Sequence, residues 1–176
     1  MNAPAGRIVP DDKRAAIVAA LAEKPDGVLE AVASAQQVPM RAVFEALAPG
    51  EAVAVAGTLF EDVWNDLTGW GTIMFIVHTA DGVFETKGAL PPGTMGRGYF
   101  NIHGDSPIGG HLRAERCAAI YFVDRLFFGR RSCSLQFVNG EGEVMFKVFV
   151  GRDDKREMLS AQLAQYEALR ERLGAA

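Results

Sequence analysis

The spacing of apolar residues changes once along this chain, near residue 50, and this change limits the fold class. Residues 11–50 carry apolar side chains at helical spacing, interrupted at Pro25. From residue 51 to residue 151 most apolar runs have the length and composition of β-strands. Helical spacing returns in residues 152–173. The sequence therefore predicts an α+β fold, with N-terminal helices, a large antiparallel sheet and a C-terminal helix.

The length of 176 residues suits a single domain, which we assign to residues 11–176. Residues 1–10 are small and contain proline, so we expect them to be flexible. Within the domain, the apolar run TIMFIVHTA at residues 72–80 predicts a strand that is covered on both faces. Asp81-Gly82 at the end of this run predicts a two-residue hairpin turn.

The charge balance argues against nucleic acid as a partner. The chain has 18 Lys+Arg against 22 Asp+Glu and a formal net charge of -4, whereas a binder of phosphate backbones normally has a basic excess. Residues 26–47 have the outline of a helix-turn-helix motif. The second helix of this pair offers DNA only Arg41, with an opposing Glu45. A packing role is therefore favoured over a role in transcriptional regulation.

Two further features of the sequence bear on location. No segment approaches the roughly 18 consecutive apolar residues of a membrane span. The first residues lack the long apolar core and small-residue cleavage site of a secretory signal peptide. We therefore expect a cytoplasmic protein without a membrane partner.

Three histidines, His78, His103 and His111, are the candidates for binding a metal. None belongs to an H-E-x-x-H or H-x-x-x-H pair, so no helix presents two zinc ligands. A site assembled from separate strands, with an imidazole or phenolate, an apolar wall and arginines, would suit a heme. For each histidine alone a structural or solvated role is the better interpretation. An ordinary solvated surface or a subunit contact would also explain the arginines of this half of the chain, which are Arg97, Arg113, Arg116, Arg125, Arg130 and Arg131.

Several long segments, taken together, resemble the ChuX/HutX family of intracellular heme-utilisation and heme-carrier proteins. The resemblance runs from about residue 25 to about residue 172. The segments that carry it are PDGVLEAVA, VWNDLTGWG, IVHTADGVFETKGALPPG, GYFNIHGD, GGHLRAERCAAIYFVDR, FFGR and FKVFVGRDDKRE. The segment TMGRGYF departs from the pattern, because several relatives carry a histidine near this point.

The resemblance implies a HemS/ChuX-like fold and a homodimer that is similar to one chain of larger, internally duplicated relatives. It also implies binding of b-type heme as exchangeable cargo. The family's proposed heme-contact positions fall on His111, which we expect as the first axial donor to the heme iron, and on His78, as a second donor or distal group. Tyr99 is the alternative oxygen ligand, and Arg113 is the expected partner of a heme propionate.

The function implied by the resemblance is that of a non-enzymatic heme carrier or buffer in the cytoplasm. Such a carrier would pass imported heme to a partner, such as a heme-degrading enzyme. Two alternatives stay open. One is a heme-degrading enzyme that acts with an external reductant, since heme can serve as its own catalyst. The other is a helix-turn-helix transcriptional regulator, disfavoured by its poor supply of cations.

Overall fold

The structure is a computed structural model and describes residues 9–174. Most of the flexible segment predicted for residues 1–10 lies outside these residues. The described part of the chain forms five α-helices and nine β-strands, with single 3₁₀ turns at Gly57–Leu59 and Ala114–Arg116. The helices are α1 (Asp11–Glu23), α2 (Leu29–Gln36), α3 (Met40–Phe44), α4 (Phe60–Leu67) and α5 (Ser160–Arg172). None of them is long and apolar enough to cross a membrane.

The nine strands form two antiparallel sheets, which confirms the predicted α+β class. The large sheet has six strands in the order β1-β7-β8-β9-β2-β3, and the small sheet has three in the order β4-β5-β6. The strands are β1 (Ala52–Ala56), β2 (Thr72–Thr79), β3 (Gly82–Ala89), β4 (Gly93–Gly96), β5 (Tyr99–Ile102), β6 (Gly110–Leu112), β7 (Cys117–Phe127), β8 (Arg130–Asn139) and β9 (Val144–Phe149).

Two of the hairpins in the large sheet have two-residue turns. The predicted hairpin between β2 and β3 is present, but its two-residue turn lies at residues 80–81, one residue earlier than Asp81-Gly82, since Gly82 already pairs with Thr79. The turn between β7 and β8 consists of Phe128 and Gly129, whose φ angles are 46° and 76°. Positive φ at both central residues is the geometry that matches the twist of the flanking strands. This turn raises the conformational free energy of Phe128, because a residue with a Cβ rarely adopts a positive φ.

The main core lies between one face of the large sheet and a layer made of α4, α5 and the small sheet. Trp64 of α4 and Tyr166 of α5 are both fully buried there. The Trp64 ring centroid lies 5.2 Å from that of Phe100 on β5 and 5.9 Å from that of Phe146 on β9. The Trp64 Nε1 donates a hydrogen bond of 2.8 Å to the carbonyl of Pro91. This one side chain therefore joins α4, the large sheet and the start of the small sheet.

The N-terminal helices cover part of the opposite face of the large sheet. Ile17, Leu29 and Val43 pack there in one cluster with Tyr121 of β7 and Val138 of β8. All of α3 except its arginine is buried. A recognition helix must present its side chains to DNA, so the predicted packing role for this region is confirmed.

The remainder of this second face, over β9, β2 and β3, is open and forms a cavity. The prediction that the run at 72–80 is covered on both faces is therefore wrong. Ile73, Phe75 and Val77 face the core, whereas Met74, Ile76 and His78 line the cavity. An apolar run marks both a buried face and an apolar cavity wall, and periodicity does not distinguish them.

The C-terminal helix begins later than the sequence predicts, at Ser160 rather than at residue 152. The side chain of Asp153 explains the delay. Its Oδ1 accepts hydrogen bonds of 2.9 Å from the backbone N–H groups of Lys155 and Glu157. Such a local bond holds the backbone in a turn and competes with helix formation. Arg152 and Met158 then pair as an isolated antiparallel bridge.

Candidate functional site

Three of the four predicted heme-contact residues lie together on the outer face of the small sheet. Neighbouring β5 and β6 pair antiparallel, with Asn101 opposite His111. Because side chains alternate along a strand, Tyr99 and Asn101 share one face of β5. His111 lies on the same face of β6, and Arg113 follows directly after that strand. We call Tyr99, Asn101, His111 and Arg113 the small-sheet cluster.

Tyr99 is in contact with both other predicted residues of the cluster. Its hydroxyl oxygen accepts a hydrogen bond of 2.9 Å from Arg113 Nη2, and the guanidinium carbon lies 4.8 Å from the ring centroid. The Tyr99 and His111 rings meet edge to face, with centroids 6.1 Å apart. Tyr99 is half-buried, and His111 and Arg113 are exposed. The cluster therefore offers a nitrogen donor, an oxygen donor and a cation at one accessible surface.

The side chain of Asn101 contacts the ring of His111 in a fixed orientation. Its Nδ2 lies within 3.0 to 3.3 Å of the backbone carbonyl oxygens of Thr94, Gly96 and Tyr99. These acceptors fix the orientation of the amide, so the other atom, Oδ1, is the one 2.7 Å from His111 Nδ1. Since a carbonyl oxygen only accepts, Nδ1 is the donor in this hydrogen bond, and Nε2 is the nitrogen that it leaves for another partner. Asn101 is not among the residues predicted from the sequence, although its position two residues after Tyr99 was a usable signal.

His103, the third histidine, is not part of the small-sheet cluster. Its Nε2 lies 2.8 Å from the hydroxyl of Thr94, and its backbone N–H donates to the carbonyl of Pro92. Both partners belong to the segment around β4, so His103 secures the edge of the small sheet. This is the structural role that the sequence favours for an isolated histidine.

His78 lies apart from the small-sheet cluster, in the cavity on the large sheet. The cavity has a volume of about 670 Å³ and is lined by residues of five large-sheet strands, by residues 28–30 and by residues 150–159. No residue of the small sheet lines it. Within one chain, the structure therefore does not bring His78 and His111 together.

The cavity combines apolar walls with buried polar groups on its floor. Met74, Ile76 and Phe149 supply apolar surface, and Arg125 and Gln136 are buried on the same face of the sheet. Arg125 donates hydrogen bonds of 3.0 and 2.6 Å to two backbone carbonyls, at residues 27 and 25. Within residues 9–174, Arg125 Nε and Gln136 Oε1 have no hydrogen-bond partner. Burial lowers the pKa of Arg125, although the carboxylates of neighbouring acidic residues oppose the effect.

Beside His78 lies a buried ion pair between Glu30 and Lys147. Lys147 Nζ donates to Glu30 Oε1, and His78 Nδ1 lies 3.4 Å from the same oxygen. Burial by itself raises the pKa of Glu30, but the charge and hydrogen bond of Lys147, with a smaller effect of His78, lower it below its ordinary value. Glu30 therefore links α2, which forms one wall of the cavity, to Lys147 on β9 and His78 on β2.

This ion pair predicts a specific loss of stability in acid. A carboxyl whose pKa is lowered by folding contributes stability above its unfolded value, and this contribution disappears as the pH falls through the folded value. We expect the free energy of unfolding of wild type, measured with urea from about pH 6 to about pH 3, to fall more steeply than that of Glu30→Gln. At neutral pH the variant is less stable, because Lys147 stays buried without its partner. The exposed Glu143→Gln should follow the wild-type profile, and a Glu30→Gln profile parallel to wild type would contradict the assignment.

Most other arginines of this half of the chain are engaged in surface ion pairs. Arg116 pairs with Glu141 at 2.7 Å and Arg130 with Glu157 at 3.5 Å. Arg131 contacts Asp124 at 2.7 Å and also reaches Glu167. The ordinary-surface interpretation therefore holds for these three arginines. Arg113 has a longer ion pair, with its Nη1 3.9 Å from Glu115 Oε1, and its hydrogen bond goes to Tyr99.

The chain matches known proteins at the level of sequence and of structure. The profile of the haem utilisation ChuX/HutX family matches residues 53–169. The intracellular heme transport protein HutX of Vibrio cholerae is 36% identical over 125 residues, which make up 70% of this chain and 65% of HutX. The match thus spans a little less than two thirds of that relative's length.

Solved structures match almost the whole chain. A protein from Agrobacterium tumefaciens is 49% identical with a TM-score of 0.84, and the match covers 93% of this chain and 92% of that one. The heme-binding protein ChuX is 37% identical with a TM-score of 0.81, covering 90% and 99% of the two chains. PhuS of Pseudomonas aeruginosa, at 15% identity, shares the fold alone, over 96% of this chain and 49% of PhuS, with a TM-score of 0.70. Because the family profile matches well over half of its residues, this chain belongs to the haem utilisation ChuX/HutX family.

Proposed function

We propose that this protein is a cytoplasmic heme carrier, which binds imported heme reversibly and passes it to a heme-degrading partner. Its relatives support this role, since one is a heme transport protein and another a heme-binding protein. The observation that carries the proposal is the exposed His111, whose Nδ1 lies 2.7 Å from Asn101 Oδ1, which leaves Nε2 as the nitrogen that can bind iron. A histidine held in this way is a typical iron ligand, because ligating histidines usually donate their other N–H to a protein oxygen.

The cluster divides the tasks of heme binding among its members. His111 Nε2 is the axial donor, and the Tyr99 hydroxyl oxygen is the alternative donor on the same surface. Arg113 pairs with a heme propionate. Its hydrogen bond to Tyr99 uses one of five guanidinium N–H groups, so others stay available for a carboxylate.

The exposure of the cluster suits heme that must be released again. A carrier needs a ligand on an accessible surface, and a buried cage with two axial ligands would hold its cargo too firmly. We propose heme of the b type, bound without a covalent link, which agrees with the surroundings of Cys117 and Cys133, neither of which belongs to a C-x-x-C-H attachment motif.

His78 requires a second explanation, because it lies on the other sheet. We propose a homodimer in which His78 of one protomer serves as the second donor or distal group for heme held by the other. The fold match covers 96% of this chain and 49% of PhuS, so one PhuS chain has about the length of two copies of this chain, which supports this arrangement. The alternative is that heme occupies the cavity, with His78 as donor and Arg125 near the propionates.

Heme transfer distinguishes a carrier from a heme-degrading enzyme. We expect hemin-loaded protein to keep its Soret band when ascorbate and catalase are added, and to transfer its heme to excess apomyoglobin. Free hemin with ascorbate and catalase is the control for loss of colour without protein. Loss of the Soret band with release of iron or of a tetrapyrrole product would show an enzyme and overturn the proposal.

A further inference from the structure

Asn101 lies at the centre of the small-sheet cluster and has no role in the proposed function beyond its contact with His111. We infer that Asn101 is a positioning residue, and this inference rests on the proposed role of His111 as the iron ligand. It keeps the proton on His111 Nδ1 and so holds Nε2 in the form that binds iron. The inference predicts a property of the protein without heme, and it can therefore be tested independently of heme binding.

The backbone around Asn101 admits only one orientation of its amide. Three carbonyl oxygens, from Thr94 and Gly96 on β4 and from Tyr99 on β5, surround Nδ2. Rotating the amide by half a turn would place Oδ1 against these three acceptors and bring Nδ2 to His111. That arrangement loses the hydrogen bonds that the two N–H groups of Nδ2 donate to these oxygens and creates repulsion between oxygens, so it is disfavoured.

The fit around the amide is close as well as polar. A Cβ at Gly96 would lie 3.3 Å from Asn101 Nδ2, which is tighter than an ordinary contact. The glycine therefore lets β4 approach the amide closely enough for its carbonyls to accept. Asn101 in this way joins all three strands of the small sheet, through β4 carbonyls, its own strand and the ring of His111 on β6.

The hydrogen bond to Asn101 works against the usual preference of the imidazole. Neutral histidine in water carries its proton mostly on Nε2, the form in which Nε2 has no lone pair for a metal. The bond of 2.7 Å from Nδ1–H to Oδ1 reverses this preference before heme arrives. It also fixes the plane of the ring, so the donor is in place when iron approaches.

Long-range ¹H–¹⁵N NMR of the heme-free protein, at a pH high enough that the histidine signals no longer change, tests the inference directly. In wild type we expect His111 to be protonated on Nδ1, and in Asn101→Ala to be protonated mainly on Nε2. The signals of His78 and His103 serve as internal controls and should not change. A wild-type His111 protonated on Nε2 would overturn the inference, whatever the protein does with heme.

Hemin titration then tests whether this position matters for binding. We expect Asn101→Ala to bind hemin about 10- to 100-fold more weakly, with a lower Fe–histidine stretching frequency in the ferrous complex. Asn65→Ala on the exposed side of α4 is the matched control and should resemble wild type. Should Asn101→Ala fail to fold, Asn101→Ser takes its place, because a hydroxyl is too short to reach the ring.

The outcomes separate this inference from the proposed function. Suppose that Asn101→Ala changes the tautomer of His111 but leaves the hemin affinity and the Fe–histidine frequency unchanged, while His111→Ala loses affinity. Asn101 then has no positioning role. If His111→Ala also leaves hemin binding unchanged, His111 is not the ligand and the proposed site is wrong. The NMR result would then still describe the histidine correctly.

Discussion

Replacing His111 by alanine is expected to weaken hemin binding by at least about 100-fold. Losing only a residue that hydrogen-bonds to a metal ligand already lowers metal affinity by up to about 100-fold, and His111 is the proposed ligand itself. His111 supplies the exposed Nε2 of the small-sheet cluster, and its neighbour Tyr99 supplies only an oxygen. Any hemin that still binds should show the absorption of oxygen ligation. The measurement is an absorption titration that follows both the affinity and the position of the Soret band.

Two further histidine variants make this result specific. His103→Ala is the matched control, because His103 lies on the same sheet but is bound to Thr94, and it should bind hemin as wild type does. His78→Ala should keep histidine ligation through His111. Where the dimer supplies His78 as the second donor, the variant should also lose affinity, and its band should shift from that of two axial histidines to that of one. If His78→Ala abolishes the band while His111→Ala preserves it, the heme lies in the cavity and not at the small sheet.

Replacing Trp64 by alanine is expected to destabilise the fold by about 3 to 5 kcal/mol, as for other buried aromatic residues in a core. Trp64 is fully buried among Phe60, Phe100 and Phe146. Its removal opens a cavity in the main core and leaves the carbonyl of Pro91 without its donor. A loss of this size is a large part of the stability of a typical domain.

Urea unfolding measures this loss, with Phe84→Ala as the control. Phe84 on β3 is 67% exposed, so its removal should change the free energy of unfolding by no more than about 0.5 kcal/mol. Because Trp64 also anchors the segment that leads into β4, Trp64→Ala should weaken hemin binding although Trp64 lies in the core. Equal stabilities of the two variants would contradict the description of the core.

The fold class was predictable from the sequence because it depends on local patterns. The helical spacing of residues 11–50, the strand-like runs that follow and the turn after Thr79 all reflect constraints that act over a few residues. The start of α5 was not predictable from spacing alone. There the outcome depended on whether the side chain of Asp153 would compete with the helix for backbone N–H groups.

The candidate site was predictable only in part. The alternation of β5 already places Tyr99 and Asn101 on one face. The approach of His111 depends on the pairing of β5 with β6, and residues 103–109 separate these strands. No pattern in the sequence fixes that pairing, so the resemblance to a known family identified His111 where spacing did not.

The separation of His78 from His111 follows from the arrangement of whole layers. The two residues lie on different sheets, and the assignment of strands to sheets is set by packing among distant segments. The cavity around His78 could not be predicted from the sequence for a related reason. Its apolar wall on β2 has the same sequence pattern as a strand buried on both faces.

The location of the iron in crystals of the hemin complex tests the central claim most directly. An anomalous difference map collected at the iron edge shows the metal independently of any assumption about ligands. We predict an iron peak at bonding distance from His111 Nε2, on the outer face of the small sheet beside Tyr99. A peak inside the large-sheet cavity, at bonding distance from His78 and away from His111, would contradict it.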